Sequence, residues 1–222
     1  MIPRLVIDTA EVPGGGQLRL VRRGADYSIM LGANELMNSR LSGSEEALAE
    51  IACRKIEAAA RARLLIGGLG MGFTLRAALA ALGERDAEIV VAELVPAVVR
   101  WARGPMAELH RGSLDDPRVR IAEGDVAELI PEGEWNAILL DVDNGPNALT
   151  QEKNARLYDA AGLARARTAL RKGGVLAIWS AAPDRSFSGR LRDVPFEVEE
   201  VVARARGGGS GARHHLWFAK RP

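Results

Sequence analysis

Residues 63–82, RLLIGGLGMGFTLRAALAAL, decide the fold of this 222-residue chain. Three apolar residues run into a cluster of glycines, and a helical pattern opens at Phe73. A strand, a tight turn and a helix start in this order bring backbone N–H groups and a helix N-terminus close to a ligand. Gly68-x-Gly70-x-Gly72 is not the dinucleotide pattern G-x-G-x-x-G, because Phe73 stands where the third glycine would be. The stretch predicts either a ligand site or a turn that is kept for packing.

Outward from this stretch, short apolar runs alternate with helical segments. Strands are predicted at 89–92, 118–121, 137–140 and 175–179, and helices at 96–103, 126–130 and 154–171, the last closed by Gly173 and Gly174. Residues 197–204 and 214–220 predict two more strands joined by a glycine loop, so the last strand runs antiparallel to the others. The pattern predicts an α/β chain with a Rossmann-like, class I methyltransferase fold. Its sheet is mostly parallel and seven-stranded, with an antiparallel C-terminal hairpin.

The segment before the main fold has a different pattern. Short β-like runs at 4–8, 17–22 and 27–31 are separated by glycine-rich turns, which predicts a small antiparallel meander. A helix is predicted from Ser44, as its N-cap, to about residue 60. We therefore expect an N-terminal β-meander over 1–40 and a Rossmann-like catalytic domain over 41–222.

Composition excludes some classes of partner. Lys and Arg total 30 against 29 Asp and Glu, so no overall charge favours nucleic acid or an anionic membrane. The single Cys53 cannot form an intrachain disulfide, which suits a reducing compartment. The first residues lack the pattern of a signal peptide, and no apolar run approaches about 18 residues. We expect a cytoplasmic protein without nucleic-acid or membrane partners.

Acidic residues follow three successive predicted strands of the main sheet. Glu93, Asp125 and Asp141 each come at or just after a strand end, where ligands bind in doubly wound sheets. Glu93 stands where an acid can accept both ribose hydroxyls of a nucleoside, and Asp125 where it can accept from an adenine amine. Either residue alone could instead be an acid at a helix N-terminus, favoured by the helix dipole. The presence of all three acids at successive strand ends after the glycine turn favours a nucleoside site.

These features together resemble the spermidine synthase family and its bacterial relatives over roughly residues 17–180. The glycine spacing is that of transferases that use S-adenosylmethionine, and the matching segments are IGGLGMGFTLRAAL, VVAELVPAVV, LDDPRVRIAEGDVAELI, WNAILLDVDNGPNAL and ALRKGGVLAIWS. The resemblance implies a site for S-adenosylmethionine or its decarboxylated form, without metal. It implies that Asp141 is the catalytic aspartate. Asp143, two residues further on, is a second candidate or else a turn residue before Asn144 and Gly145. The residues that the resemblance implies for the cofactor are Gly68, Leu69, Gly70, Gly72, Glu93, Leu94, Asp125 and Val126.

Three departures from the family pattern bear on function. Met71 stands where the family has an aspartate that meets the free amine of the decarboxylated cofactor, and a thioether is a poor acceptor for an ammonium. Ser44 and Glu50 stand where the family's helix leading into the catalytic domain has an aromatic residue and a histidine. The segment after Asp141 is also shorter. A diamine needs a carboxylate at each end, and Asp141, Asp143, Glu45 and Glu46 are the candidates.

Three hypotheses follow from these residues. The first is a transferase that alkylates a small nucleophile, in particular an amine such as a polyamine, with Asp141 as base or orienting group. The second is a methyltransferase that uses intact S-adenosylmethionine, which Met71 favours. The third is a non-catalytic, nucleoside-binding regulatory protein.

The family resemblance also implies a homodimer through the N-terminal strands. Trp179 and Ser180, at the end of the fifth strand, could border the acceptor pocket. His214 and His215, adjacent on a strand, face opposite ways and have no metal-ligand spacing.

Overall fold

The computed structural model describes residues 2–13, 15–56, 58–142, 154–206 and 210–222. Asp143, the second catalytic candidate, lies outside these ranges. Within them the chain forms one four-stranded sheet and one seven-stranded sheet. None of the described helices has the length and apolar content that crossing a bilayer demands.

The first sheet is an antiparallel meander in chain order. Its strands are β1 (Leu5–Glu11), β2 (Gln17–Arg23), β3 (Asp26–Leu31) and β4 (Asn34–Asn38). The sequence predicted the first three and missed β4, because Asn34 was assigned to the turn. In the structure Leu31 pairs with Asn34 across a two-residue turn that starts at Gly32, whose φ of +57° suits a tight hairpin.

The second sheet has the strand order β10-β11-β9-β8-β5-β6-β7. Only β11 runs against its neighbours, being antiparallel to both β9 and β10, while the other described pairings are parallel. This topology confirms the predicted Rossmann-like fold with its antiparallel C-terminal hairpin. The strands are β5 (Ala62–Gly67), β6 (Ala87–Glu93), β7 (Val119–Glu123), β8 (Trp135–Leu140), β9 (Leu170–Ser180), β10 (Glu197–Arg206) and β11 (Ser210–Lys220).

Helices connect the strands and cover the sheet. The described α-helices are α1 (Gly43–Lys55), α2 (Phe73–Leu82), α3 (Pro96–Arg103), α4 (Ala107–His110), α5 (Val126–Leu129), α6 (Ala155–Tyr158), α7 (Ala160–Ala169) and α8 (Arg185–Asp193). The prediction for α3 was correct at both ends. The short α4 and the nine-residue α8 were not predicted.

Three details of the predicted helices were wrong. Helix α1 starts at Gly43 after the N-cap Ser42, so Ser44 lies inside the helix and does not cap it; the helix ends at Lys55. The predicted helix 154–171 is interrupted at Asp159, which has an extended conformation and caps α7 by accepting from Gly162 N at 2.6 Å. The glycines expected to close that helix lie inside β9. There a side chain on Gly174 would approach the carbonyl oxygens of Trp135 and Asn136 within 3.1 Å.

The two sheets share one hydrophobic core. Leu18, Leu20 and Ile29 of the meander belong to the same buried cluster as β5, β6 and α2. The indole N–H of Trp101 on α3 donates to Asp8 Oδ2 of β1 at 2.7 Å. The meander is thereby held next to the loops that follow β5 and β6. It forms one wall of the cavity at the carboxyl ends of the parallel strands.

Candidate functional site

A cavity lies where β5, β6 and β8 end. It contains about 1220 Å³ of atom-free space, a figure that includes open solvent at its mouth. Its lining joins the two sheets, because Met37 of β4 lies on one side and the glycine turn on the other. The lining does not include Glu46 or Ser180, which were candidates for the acceptor. It includes Asp141 and all the residues predicted for the cofactor: Gly68, Leu69, Gly70, Gly72, Glu93, Leu94, Asp125 and Val126.

The glycine turn between β5 and α2 leaves no space for a side chain at two of its positions. Gly68 has a φ of +89°, and a Cβ there would lie 2.7 Å from the Asp141 carbonyl oxygen. Gly72 has a φ of +76°, and a Cβ there would lie 2.4 Å from Nδ1 of His110. Both positions therefore require glycine for backbone conformation and for space. The turn places the N-terminus of α2 at the cavity, where it can face an anionic or polar group.

Glu93 ties the two strand-end loops together. Its Oε2 accepts from Leu69 N at 3.0 Å, and its Oε1 accepts from Val95 N at 2.9 Å. The residue is only 7% exposed and lines the cavity. Glu93 therefore fixes the two loops relative to each other at the wall of the cavity.

Asp125 has structural partners as well as a place in the cavity wall. Its Oδ1 accepts from Ala127 N at 2.8 Å, so it is the N-cap of α5. Its Oδ2 is 2.5 Å from Arg156 in an ion pair. The helix-capping role that the sequence left open is therefore present. A role toward an adenine amine stays a prediction, and it would have to share this carboxylate with Arg156.

Asp141 follows β8 and faces the same cavity. Its Oδ2 accepts from the Thr74 hydroxyl on α2 at 2.6 Å. Burial raises the pKa of Asp141 to about 6, against the opposing effect of the Thr74 hydrogen bond. A carboxyl with a pKa near neutrality can act as a general base at physiological pH.

A second carboxyl, that of Glu45 in the first turn of α1, also lines the cavity. Burial raises its pKa to about 7, and the charge of Asp141 is the next largest cause. The two carboxyls are therefore close enough to affect each other's protonation. Two like charges in one partly buried site favour a state in which a single proton is retained.

Three further side chains meet Glu45 at this end of the cavity. The Ser44 hydroxyl donates to Glu45 Oε2 at 2.5 Å, and the Trp179 indole N–H donates to Ser44 Oγ at 3.0 Å. His214 Nδ1 lies 2.7 Å from the same Oγ, and its ring is edge-on to that of Trp179 at 4.7 Å. Trp179 lines the cavity, as its position at a strand end suggested.

The sequence did not link Ser44, Glu45, Trp179 and His214. Glu45 appeared as one of several carboxylates for an amine, and Ser44 as a helix cap and as a departure from the family pattern. Ser44 and Glu45 lie more than a hundred positions before Trp179 and His214, and the four meet because α1 lies against β9 and β11. No spacing within the sequence signals such a contact. Among the described residues, no cluster of three or more His, Cys, Asp or Glu is arranged to hold a metal ion.

Sequence relatives of the chain are named as polyamine aminopropyltransferases. No protein-family model matches the chain. A polyamine aminopropyltransferase from Mycobacterium tuberculosis is 31% identical over 129 residues, which is 56% of this chain and 23% of that protein. One from Sulfolobus acidocaldarius is 36% identical over 81 residues, which is 36% of this chain and 26% of that protein. The matches thus span about a quarter of the length of these relatives.

Comparison with solved structures covers nearly the whole chain. The spermidine synthase from Thermotoga maritima superimposes with a TM-score of 0.77 at 19% identity, covering 98% of this chain and 73% of that one. Human methyltransferase-like protein 13, solved in complex with SAH, superimposes with a TM-score of 0.58 at 18% identity, covering 81% and 82%. At these identities the structural similarity shows the fold. Together with the sequence relatives, it confirms the resemblance to the spermidine synthase-like family.

Proposed function

We propose that the chain is a transferase that alkylates a small amine with S-adenosylmethionine or its decarboxylated form. The observation that carries the proposal is the pair of carboxyls, Asp141 and Glu45, in the cavity that the glycine turn and Glu93 also line. The names of the sequence relatives, polyamine aminopropyltransferases, support the same class of reaction.

The residues of the cavity fit the nucleoside part of such a ligand. Glu93 is a carboxylate, which can accept from ribose hydroxyls, at the cavity wall, and Leu94 and Val126 supply apolar contacts beside it. The glycines at 68 and 72 leave room that a Cβ would fill. This combination of an acid, apolar walls and close backbone is what a nucleoside requires.

The other residues of the cavity suit an amine acceptor. When bound, the sulfonium nucleoside supplies an alkyl group on a leaving group that its positive charge has already activated. The protein then has to orient the amine and remove a proton from it. Asp141, held by Thr74, and Glu45, held by Ser44, are carboxyls with pKa values near neutrality, so either can accept that proton.

One observation favours methyl transfer as a second candidate function. Met71, at the position of the family's aspartate, is 3% exposed and lines the cavity. An apolar side chain there offers no partner to the free amine of the decarboxylated cofactor. A methyltransferase that uses intact S-adenosylmethionine does not depend on that partner.

Calorimetry with both cofactors, followed by mass spectrometry of a panel of diamines and polyamines, separates these candidates. Transfer of an aminopropyl group to an amine is the expected result. Transfer of a methyl group, with tighter binding of intact S-adenosylmethionine, would establish the second candidate. Nucleoside binding with no modified acceptor would instead support a binding protein.

Glu93→Gln tests the nucleoside site. The substitution removes the negative charge that orients both loops, so we expect cofactor affinity to fall by tenfold or more, on the order of 1.5–3 kcal/mol for a hydrogen bond to a charged group. Glu123→Gln is the matched control, since Glu123 pairs with Glu93 in the sheet register but is exposed. Equal affinities of the two variants in calorimetry would place the ribose elsewhere.

A further inference from the structure

The Ser44 hydroxyl connects the cavity to strand β11. The residue is completely buried, and its Oγ is in contact with Glu45, His214 and Trp179 at 2.5, 2.7 and 3.0 Å. A hydroxyl has one proton to donate and two lone pairs that accept. The three contacts therefore use its whole hydrogen-bonding capacity.

Two arrangements of protons satisfy this cluster. In the first, Glu45 is a carboxylate that accepts from Ser44, and His214 Nδ1–H donates to Ser44. In the second, Glu45 is a carboxylic acid that donates to Ser44, and Ser44 donates to an unprotonated His214 Nδ1. Trp179 donates to Ser44 in both. Since Ser44 keeps one donated and two accepted bonds throughout, the exchange leaves no buried polar group without a partner.

We propose that Glu45, Ser44 and His214 form a proton relay that carries the proton lost by the acceptor amine out of the cavity. The inference rests on the proposed function, which supplies the amine. His214 is partly exposed, whereas Ser44 is buried, so the relay leads from the cavity toward solvent. Ser44 and His214 act through Glu45, the member of the relay that lines the cavity.

The proton transfers balance along the chain of groups. The amine nitrogen loses a proton to a Glu45 oxygen. His214 begins this step as its Nε2–H tautomer, and the acid proton of Glu45 passes to Ser44 Oγ as the hydroxyl proton of Ser44 passes to His214 Nδ1. The resulting imidazolium releases its Nε2 proton to water, so one proton has moved from amine to solvent and His214 is left as its Nδ1–H tautomer. Rotation of the partly exposed ring then presents an unprotonated nitrogen to Ser44 for the next turnover.

Burial and charged neighbours act on both ends of the relay. Burial, with the charges of Asp141 and Glu46, raises the pKa of Glu45 to about 7, and Glu46 is itself 3.9 Å from Arg76. Burial and the neighbouring His215 lower the pKa of His214. His215 points away and lies 2.9 Å from Glu200, and the residue opposite His214 on β10 is the uncharged Ala203. The raised pKa of Glu45 favours uptake of the amine's proton, and the lowered pKa of His214 favours release of a proton to water.

Nitrogen-15 NMR of His214 tests the relay without any turnover. We expect the Nδ1 signal to change between its acceptor and donor forms over the pH range in which Glu45 titrates. Glu45→Gln and Ser44→Ala should both remove this change. An Nδ1 titration that is the same in the wild type and in Glu45→Gln would overturn the proposal.

His214→Asn tests the relay in the reaction. Asparagine keeps a hydrogen-bond donor for Ser44 but cannot take up a proton, so we expect unchanged cofactor affinity and a tenfold or greater loss of kcat near pH 7. The loss should shrink as pH rises, because more of the acceptor is then already neutral, and should be partly rescued by added imidazole. His215→Asn, on the opposite face of β11, is the control and should keep the wild-type profile.

The outcomes distinguish the two proposals. A pH profile and imidazole response of His214→Asn equal to those of the wild type would refute the relay while leaving the transferase intact. If the wild-type protein alkylates no amine, the proposed function fails, and the NMR titration still decides whether the three groups exchange a proton.

Discussion

The charge of Glu45 affects the stability of the folded chain near neutral pH. Its pKa rises from an ordinary 4.5 to about 7 on folding, so the folded state binds more protons than the unfolded state between these values. Stability from this group is therefore greatest below about pH 4.5 and is lost as pH rises to about 7. The same sign holds for Asp141, whose pKa is raised to about 6.

Glu45→Gln should consequently become more stable relative to the wild type as pH rises from 5 to 8, by an amount on the order of 2 kcal/mol. Glutamine keeps an oxygen that accepts from Ser44, so the main change is the loss of charge. Urea unfolding at several pH values measures the difference. Glu50→Gln, exposed on the same helix, serves as the control. A difference that does not vary with pH would show that Glu45 titrates normally in the folded protein.

Residues at the carboxyl ends of the parallel strands were accessible from the sequence, whereas the contacts between Ser44 and His214 were not. Glu93, Asp125 and Asp141 stand at strand ends, and the parallel sheet brings strand ends to one edge whatever the details of packing. Ser44 and His214 meet only through the packing of α1 on β9 and β11, which depends on side-chain shapes across the whole core. Local pattern contains no information on such contacts.

At the scale of elements, the turn between β5 and α2 depends on Gly72. We expect Gly72→Ala to destabilise the fold by roughly 2–5 kcal/mol, from about 1–2 kcal/mol of backbone strain and about 1–3 kcal/mol of overpacking against His110. His110 is 1% exposed and cannot move toward solvent without disturbing α4.

Gly112→Ala is the matched control for that turn. Gly112 has the same φ of +76° and a similar ψ, yet a Cβ there would meet nothing within 4 Å. This variant should show the backbone strain alone. Denaturant unfolding of both variants separates the backbone strain from the overpacking against His110. Equal losses of stability would show that His110 adapts to the extra methyl group.

Helices and strands were predicted well where a strand is buried on both faces or where a proline marks the start of a helix. They were predicted poorly where a turn or a helix cap determines the boundary. The central strands are continuous apolar runs, so their positions were evident, with ends that shifted by at most five residues. The break at Asp159 was missed because its neighbours suit a helix on either side, and only the cap with Gly162 ends α6 before α7 begins. Strand β4 and helix α8 were missed because both contain many polar residues.

At the scale of the whole molecule, the shared core predicts a single unfolding transition. The meander contributes fully buried side chains, such as Leu20, to the cluster that also contains Leu64 and Ile66 of β5. Neither sheet can lose this contact without exposing the apolar face of the other. The division at residues 40 and 41 thus remains a prediction about the chain's organisation, which calorimetry can test.

Differential scanning calorimetry should show one peak whose van't Hoff and calorimetric enthalpies agree. S-adenosylmethionine, if it binds the cavity between the sheets, should move that whole peak to higher temperature. Two resolved peaks, with only the later one moved by the ligand, would show that the meander unfolds as a separate domain.

The position of β11 between β9 and β10 affects the order in which the molecule can assemble. Strand β10 precedes β11 in the chain, yet its described hydrogen-bonded partner in the sheet is β11. It therefore gains a place in the sheet only once β11 has docked on β9, a pairing between segments some 40 residues apart. Such non-local pairing is slow compared with the formation of the β5-α2-β6 unit. The part of the cavity built on the glycine turn and Glu93 can thus form early in folding, while the part next to Trp179 and His214 is completed late.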